Sequence, residues 1–370
     1  MAATFTTAER IITGWGCCDQ LGDIAAELGR HALLVTGRKA LRAAGTTDRL
    51  VECLKSAGLA VTVFERVEPE PTVETVDRGR EAFGEAGCDL VVAAGGGSAM
   101  DVGKAISALA GELAPTAEYY GRRALPERAY PCVAVPTTAG TGAEVTPNSV
   151  LTESEQEVKH SLRGPNFIPA VALVDPELTV SCPPDVTASA GMDAMTQAIE
   201  SYLSRNATPL TDALALHAAE LIWLNILAAY QNGKDRPARE AMAHGSLLAG
   251  MALANARLGA VHGMAHAVGH RYRLRHGAVC AAMLPHVLRF NREAAPEKYE
   301  ILNNIFGADA ADVAAYLLVR LSLPEKLSAF GLSDGDFDEI AAESLPSGSL
   351  KANPKQVAAE DIRAILTQLL

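Results

Sequence analysis

The sequence lacks the features that mark several classes of protein. Its seven cysteines are scattered over 370 residues without a Cys-x-x-Cys pair, which argues against a disulfide framework and a thiolate zinc cage. No segment reaches about 18 uninterrupted apolar residues, and the start has no basic region followed by an apolar run. We therefore expect a cytoplasmic protein that does not span a membrane.

Basic side chains are also in deficit. Lysine and arginine total 32 against 44 acidic residues, which gives a formal net charge of -12. This charge disfavours nucleic acid and anionic membranes as partners, and no Lys or Arg block offsets it. Hydrophobic residues make up 49% and charged residues 21%, the balance of a folded globular protein. The length exceeds one ordinary hydrophobic core and predicts two domains.

The first half of the chain alternates two patterns. Short β-rich runs are separated by helical stretches that end in glycine, which predicts a parallel sheet covered on both faces. The runs that predict strands are 32–36, 60–65, 89–95, 131–136 and 170–175. After the paired prolines at 183 and 184 the chain is rich in Ala and Leu, with long helical patterns and no convincing strand.

We therefore predict an α/β dinucleotide-binding domain over residues 1–179 and an all-helical domain over residues 180–370. The segment 344–356 is predicted to be a loop before the last helix.

Glycines mark the turn after the third predicted strand. Gly95, Gly96 and Gly97 remove every side chain that would keep a phosphate from the backbone. Ser98 is expected to cap the next helix, whose N–H groups favour an anion. The turn therefore predicts a pyrophosphate site, with a tight turn that binds nothing as the alternative. The spacing is not the G-x-G-x-x-G fingerprint.

A second polar loop follows the next predicted strand. The segment "VPTTAGTGAEVT" at 135–146 supplies Thr137, Thr138 and flexible glycines at the same sheet edge. Two such loops after parallel strands frame a crevice at the carboxyl ends of the strands. A plain polar hairpin or turn is the alternative.

Histidines cluster in one short span of the second half. Four of the nine histidines lie within 259–279, namely His262, His266, His270 and His276. The first three share a helical face if one helix covers them. Upstream, "GMDAMTQAIES" sets Asp193 and Gln197 four residues apart on another predicted helix.

A carboxylate from one helix and imidazoles from another form divalent metal sites in helical domains. Asp193, His262 and His276 are therefore candidate ligands. In the alternative, Asp193 is a helix-start residue and Gln197 a solvated surface side chain.

Four motifs together resemble the iron-containing (group III) alcohol dehydrogenases, which share their fold with glycerol dehydrogenase, maleylacetate reductase and dehydroquinate synthase. The motifs are "GGGSAMDVGKAIS", "PTTAGTGAEVTPNSVLT", "GMDAMTQAIESYLS" and "LGAVHGMAHAVGHRYRLRHGAVCAAMLPHVLRFN". The resemblance covers essentially the whole chain. It implies an N-terminal nucleotide-binding domain, a helical domain that carries a divalent metal, and a substrate cleft between them.

The resemblance also implies roles for individual residues. The pyrophosphate is expected at Gly95, Gly96, Gly97 and Ser98, and the ribose and nicotinamide at Asp101, Thr137, Thr138 and Lys159. The metal ligands fall on Asp193, position 197, His262 and His276, and His266 lines the substrate pocket.

Position 197 departs from the family pattern, which has histidine there. Gln197 offers only a neutral carbonyl oxygen. Zinc, or a weakly held cation, is then favoured over iron, and a three-ligand site without Gln197 is the alternative.

The choice of cofactor is predicted at the end of the first strand, 32–36. Gly37 stands where a carboxylate would bind the ribose 2′-hydroxyl of NAD, and Arg38 and Lys39 follow. Room and positive charge favour NADP, although NAD also fits.

The predicted activity is reversible hydride transfer between a small alcohol, aldehyde or ketone and a nicotinamide, with the metal as a Lewis acid. His266 or His270 is expected to relay the proton. The family habit predicts a homodimer or a larger homo-oligomer. Four arginines leave a maleylacetate reductase-like activity on acidic carbonyls open: Arg163, Arg271, Arg273 and Arg275. A dehydroquinate synthase-like lyase and a catalytically silent nucleotide-binding protein are further alternatives.

Overall fold

The computed structural model describes residues 3–121, 123–153 and 158–370, and for residues 158–160 the backbone alone. The chain forms two compact units. The first, which we call the sheet unit, comprises residues 7–138 and 142–181. The second, the helical unit, comprises residues 139–141 and 182–370 with the N-terminal residues through Thr6.

Within the described residues the strands of the sheet unit are β1 (Arg10–Thr13), β2 (His31–Gly37), β3 (Ala60–Val67), β4 (Leu90–Gly95), β5 (Cys132–Pro136), β6 (Asn148–Glu153), β7 (Val158–Arg163) and β8 (Val171–Val174). Six of them form a parallel sheet in the order β1-β8-β5-β4-β2-β3, and β6 and β7 form a separate antiparallel pair. The helices of this unit are α1 (Leu21–Leu28), α2 (Ala40–Ala43), α3 (Thr46–Ser56), α4 (Val73–Ala86) and α5 (Gly97–Leu109).

Central strands are mostly apolar because both faces of the sheet are covered. In β2, Leu33 and Val35 join a core with α4 and α5, whereas Ala32 and Leu34 join a second core with α1 and α3. Successive side chains of a strand point to opposite faces, so each strand contributes to both cores. The expected α/β fold with a parallel sheet is confirmed.

The order of the strands creates a switch point between β2 and β4. Strand β3 pairs with one side of β2 and β4 with the other, so the chain changes direction across the sheet. Ligands of open α/β sheets bind at such a point, outside the carboxyl ends of the strands. Gly37 ends β2 and Gly95 ends β4, which places both predicted cofactor turns at this edge.

All five predicted strands are present. Strand β1 and the hairpin of β6 and β7 were not predicted. Strand β1 has four residues, none of them buried, and pairs only with β8, so it lacks the apolar run that marks a central strand.

The helical unit contains no strand among its described residues. Its helices are α6 (Pro184–Leu203), α7 (Pro209–Gln231), α8 (Arg236–Ala256), α9 (Ala260–Tyr272), α10 (His276–Asn291), α11 (Pro296–Phe306), α12 (Ala310–Arg320), α13 (Phe337–Ser344), α14 (Gly348–Ala352) and α15 (Ala359–Thr367). They enclose one large apolar core. The predicted loop at 344–356 is wrong in part, because it contains α14, where Ser347 accepts a hydrogen bond from the Ser349 N–H and Leu350 is buried.

Helix α7 is long and apolar enough to cross a membrane by length and composition. Its buried face, which includes Ala218, Ile222 and Ile226, belongs to the core of the helical unit. Near its start, Asp212 pairs with Lys298 at 2.9 Å. These contacts are those of a core helix.

Candidate metal centre and nucleotide loops

Helix α6 contributes a carboxylate and an amide that are both buried. Asp193 and Gln197 are each 4% exposed, and the Gln197 Nε2 donates to Asp193 Oδ2 at 3.0 Å. Asp193 Oδ1 and Gln197 Oε1 are buried without a hydrogen-bond partner. The alternatives of a helix-start Asp193 and a solvated Gln197 are therefore wrong. Two orphaned oxygens in one place are costly unless a cation or donor is bound.

Helix α9 brings His262 to these oxygens. Glu200, also on α6, accepts hydrogen bonds from the Val261 N–H at 2.6 Å and from the His262 N–H at 3.3 Å. The same carboxylate lies 2.7 Å from His262 Nδ1. Nε2 of His262 is then left 3.3 Å from Asp193 Oδ1, buried and without a hydrogen-bond partner. A carboxylate that orients the far nitrogen of a histidine in this way is typical of metal ligands.

Helix α10 begins with His276 and packs closely on α6. A Cβ on Gly277 would lie 2.1 Å from the Ser189 carbonyl oxygen, so only glycine permits this approach. Arg275 pairs with Asp185 at 2.6 Å and ties the starts of the two helices together. As a result, His276 Nε2 lies 3.7 Å from Asp193 Oδ1.

One turn after His276, the thiol of Cys280 joins the same group. Its Sγ lies 3.6 Å from His276 Nε2. The ligand atoms of Asp193, His262, His276 and Cys280 all lie within 4.8 Å of one another. The sequence analysis missed Cys280 and Glu200. The signals were their helical spacings, with Cys280 four residues after His276 and Glu200 seven after Asp193.

The acidic groups and the imidazoles of this cluster shift one another's pKa values. Burial by itself raises the pKa of Asp193 and Cys280, but the adjacent imidazoles outweigh it and lower both pKa values. Burial by itself lowers the pKa of His262 and His276, and the neighbouring anions outweigh it and raise both. Positive charge is thus favoured among these groups, and a divalent cation would supply it in place of protons. Orphaned oxygens, imidazoles and a thiol fit such a cation.

The two predicted catalytic histidines lie on the same helix as His262. Helix α9 runs unbroken to Tyr272, so His262, His266 and His270 follow one another by single turns. The exposed ring of His266 stacks on His276, with ring centroids 5.0 Å apart and 22° between the planes. His270 is half-buried and is not among the four clustered residues.

The parts of the two predicted nucleotide loops that belong to the sheet unit lie side by side. The Thr137 N–H donates to the Gly95 carbonyl at 2.9 Å, and a Cβ on Gly96 would lie 3.4 Å from Thr138 Oγ1. Gly95 has a φ of 148°, and a Cβ there would lie 2.7 Å from Cβ of Ala99. Glycine is therefore required at the point where β4 turns into α5.

The expectation that Ser98 caps α5 is wrong. Gly96 is the N-cap residue, and the helix begins at Gly97. Ser98 lies in the first turn, and its hydroxyl donates to the Pro69 carbonyl at 2.6 Å. Three consecutive glycines let the chain enter the helix two residues earlier than a cap at Ser98 would.

The Asp101 carboxylate is hydrogen-bonded to the neighbouring hairpin of β6 and β7. Its Oδ2 accepts a hydrogen bond from the Val150 N–H at 3.0 Å, and its Oδ1 lies 3.4 Å from Nζ of Lys104. Lys104, which the sequence analysis did not single out, is 1% exposed and donates to the Ala143 carbonyl at 2.9 Å. Burial lowers the pKa of Lys104. Lys159 lies in β7, and its side chain is outside the described part of the chain.

Arg38, in the basic turn after β2, is paired. The Arg38 guanidinium lies 3.2 Å from Glu68 Oε2 and donates to the Arg66 carbonyl at 3.2 Å. In the helical unit, Arg271 pairs with Glu339 at 2.6 Å and with Glu343 at 3.0 Å.

Comparison with known proteins decides the family. Residues 8–176 match the family described as iron-containing alcohol dehydrogenase, and residues 187–370 match the C-terminal family of Fe-containing alcohol dehydrogenases. The chain belongs to the iron-containing alcohol dehydrogenase family. It is 41% identical over 354 residues to the 1,3-propanediol dehydrogenase of Klebsiella pneumoniae, a match that covers 92% of this chain and 91% of the relative.

Two further relatives agree with this assignment. The NAD-dependent methanol dehydrogenase of Bacillus methanolicus is 34% identical over 371 residues, which cover 97% of each chain. The crystal structure of a 1,3-propanediol oxidoreductase superposes with a TM-score of 0.96 and 38% identity over 100% of both chains. The resemblance inferred from the motifs is confirmed. This alcohol dehydrogenase is a metal-dependent, NAD(P)-linked oxidoreductase that acts on CH–OH groups of small alcohols.

Proposed function

We propose that the divalent cation of this alcohol dehydrogenase is held by Asp193, His262 and His276, with Gln197 beside them. The observation that carries this is the set of buried atoms without hydrogen-bond partners, Asp193 Oδ1, Gln197 Oε1 and His262 Nε2. A cation held there supplies Lewis-acid polarisation of the substrate oxygen.

The nucleotide is proposed to bind to the domain of residues 1–179. The metal is proposed to bind to the domain of residues 180–370. The glycine turn after β4 and the threonine loop after β5 adjoin one another at the carboxyl edge of the sheet, where α/β folds bind nucleotides. The proposed contacts are Gly37, Arg38, Gly95, Gly96, Gly97, Ser98, Asp101, Thr137, Thr138 and Lys159.

Within this nucleotide site we propose a preference for NAD(H). The expected preference for NADP(H) was based on the room at Gly37 and the positive charge of Arg38 and Lys39, and the guanidinium of Arg38 pairs with Glu68. A carboxylate next to the ribose disfavours a 2′-phosphate. The ratio of kcat/KM for NADH and NADPH tests this: we expect at least about a tenfold preference for NADH, or about 1.4 kcal/mol. Equal values would contradict it.

His266 is proposed to exchange the proton between substrate and solvent. It is exposed, and its ring stacks on that of His276, a proposed ligand. An imidazole titrates near neutrality and can carry a proton in either direction. Replacement of His266 by Ala is expected to lower turnover more than metal content. His270, one turn further along α9 and half-buried, is a second candidate for the same path.

The proposed substrates are short aliphatic alcohols and diols and the matching aldehydes. The relatives named above act, by their names, on 1,3-propanediol and methanol. Arg271 and Arg275, which suggested an acidic carbonyl, are engaged in ion pairs with acidic side chains. These pairs favour uncharged substrates. Location in the cytoplasm and assembly into a homodimer or larger oligomer are also proposed, and light scattering of the purified protein tests the assembly.

One experiment tests the central proposal. The protein is purified, its metal content is measured by elemental analysis, and NADH oxidation is followed at fixed substrate with short aldehydes. Asp193→Asn is expected to lose both metal and activity and to keep NADH binding, because the proposed nucleotide contacts belong to the sheet unit. Asp338→Asn, at an exposed position of α13, is the matched control. Full activity of Asp193→Asn would overturn the proposed ligand set.

A further inference from the structure

We propose that the thiolate of Cys280 is a ligand of the cation, and that it makes this centre favour zinc over iron. The inference rests on the proposed function, because it concerns the same cation. Helix α10 sets Cys280 one turn after His276, with Sγ 3.6 Å from His276 Nε2. Cys280 is buried, and its Sγ belongs to the group of ligand atoms within 4.8 Å of one another.

The distances between these atoms resemble the edges of a zinc tetrahedron. Zn–S bonds of about 2.3 Å and Zn–N and Zn–O bonds of about 2.1 Å give edges of about 3.6 Å for S···N and about 3.4 Å for N···O. Here Cys280 Sγ lies 3.6 Å from His276 Nε2, and Asp193 Oδ1 lies 3.3 Å from His262 Nε2 and 3.7 Å from His276 Nε2. Small side-chain adjustments would therefore suffice to surround a cation.

Gln197 is poorly suited to replace the histidine expected at its position. Its amide nitrogen is used as a donor to Asp193 Oδ2, and its carbonyl oxygen is neutral. A thiolate brings a full negative charge, so Asp193 and Cys280 together balance a divalent cation in a buried place. We therefore assign Gln197 as a positioning residue. Its hydrogen bond to Oδ2 of Asp193 leaves Oδ1 of the same carboxylate to face the cation.

The thiolate also bears on the identity of the metal. Soft thiolate ligands suit zinc, whereas an oxygen ligand suits harder cations. A site of one carboxylate, two imidazoles and one thiolate is within the range of ligands that zinc accepts with tetrahedral geometry. We expect the purified protein to retain zinc in preference to iron.

Cobalt(II) provides the test, because a cobalt–thiolate bond gives a charge-transfer band in the near ultraviolet. The full-length protein is stripped with a chelator and loaded with cobalt, and the bound metal is counted by elemental analysis. We expect the band in wild type and its loss in Cys280→Ser, with zinc affinity weakened at least about tenfold. Cys182→Ser, a half-buried cysteine of the same unit, is the control and should keep the band.

A double variant distinguishes the loss of the Cys280 ligand from misfolding of the Cys280→Ser protein. Gln197→His in the Cys280→Ser background supplies an imidazole one turn after Asp193 on α6, and we expect cobalt binding to recover without the band. Bound cobalt without a band in wild type would overturn the assignment of Cys280 and leave the metal centre standing. A wild-type protein that binds neither cobalt nor zinc would overturn the metal centre itself, and a band that persists in Cys280→Ser would also refute the assignment.

Discussion

Glu200 performs two tasks with one carboxylate. It accepts hydrogen bonds from two backbone N–H groups at the start of α9 and also contacts Nδ1 of His262. The N–H groups of a first helical turn have no partner within the helix, so this acid stabilises the helix end while it fixes the orientation of the proposed ligand. The effects of its removal on folding and on metal affinity can be measured separately.

We predict that Glu200→Gln weakens metal affinity by roughly 10- to 100-fold, because partners that orient ligands contribute at this scale. The amide keeps an acceptor for the backbone but not the negative charge beside His262. Metal affinity is measured by competition with a chromogenic chelator. Glu220→Gln, at an exposed position of α7, is the control, and equal affinities of the two variants would contradict the assignment.

Glu144 gives a prediction about pH. It is 2% exposed, and burial raises its pKa from 4.5 to about 7 against the opposing effect of Lys104. The folded protein therefore holds a proton that the unfolded chain releases. This contribution to stability is complete below pH 4.5 and is lost as pH rises to about 7.

The expected size is about 3 kcal/mol over this range. The measurement compares the free energy of unfolding of wild type and Glu144→Gln in urea at both ends of the range. Wild type should lose stability relative to the variant as pH rises. Glu85→Gln, at an exposed helix position, is the control, and parallel profiles for wild type and Glu144→Gln would refute the prediction.

At the residue scale, the sequence predicted the part of the metal centre that is visible as clustering. Histidines concentrated in one span pointed to His262 and His276, and a carboxylate on another predicted helix pointed to Asp193. Cys280 and Glu200 were not predicted, because their roles depend on how α6, α9 and α10 pack against one another. Spacing along one helix does not determine that packing.

At the scale of elements, α5 packs closely on the sheet because it has glycine at the contact. A Cβ on Gly103 would lie 2.4 Å from Cβ of Ala93 in β4 and 3.3 Å from its Cα. Helix α5 carries the glycine turn at its start, so this contact sets the position of the proposed phosphate site relative to β4.

We predict that Gly103→Ala destabilises the protein by about 1–3 kcal/mol through overpacking. Gly84→Ala in α4 is the matched control. It is exposed, and nothing lies within 4 Å of its added Cβ, so it should stabilise by roughly 0.5–1 kcal/mol through helix propensity. Urea unfolding measures both, and equal stability of the two variants would rule out the proposed close contact.

Elements were predictable where their pattern is strong. The central strands are buried on both faces and appear as apolar runs, and the long helices show their period clearly. Strand β1 and helix α14 have four and five residues, too few to show a period. The hairpin of β6 and β7 follows a polar loop, and the glycines and threonines of that loop do not indicate the strands that come after it.

At the scale of the whole molecule, bound metal is expected to raise thermal stability. A ligand that binds only the folded state stabilises it by about 2.7 kcal/mol at 100 times its dissociation constant. Chelation is therefore predicted to lower the melting temperature, and added zinc to restore it. Calorimetry should show no such shift in Asp193→Asn and the full shift in Asp338→Asn. A chelator-sensitive melt in Asp193→Asn would contradict the ligand set.

Composition and motif order were sufficient to predict the architecture, because the family motifs recur in the same order over the whole chain. The domain boundary at 179 and 180 stays a prediction. The pairing of Arg38 with Glu68 weakens the predicted preference for NADP. This pairing joins side chains thirty positions apart, so it is not visible in a motif.

The close contact of Gly277 with the Ser189 backbone bears on which metal the enzyme contains in a cell. The close main-chain contact and the Arg275–Asp185 ion pair hold His276 beside Asp193. Neither contact involves the metal, so we expect one metal to replace another without refolding. Occupancy in vivo then follows the supply of each metal as well as its affinity, so enzyme from cells grown on different trace elements should differ in content and speed while sharing one shape.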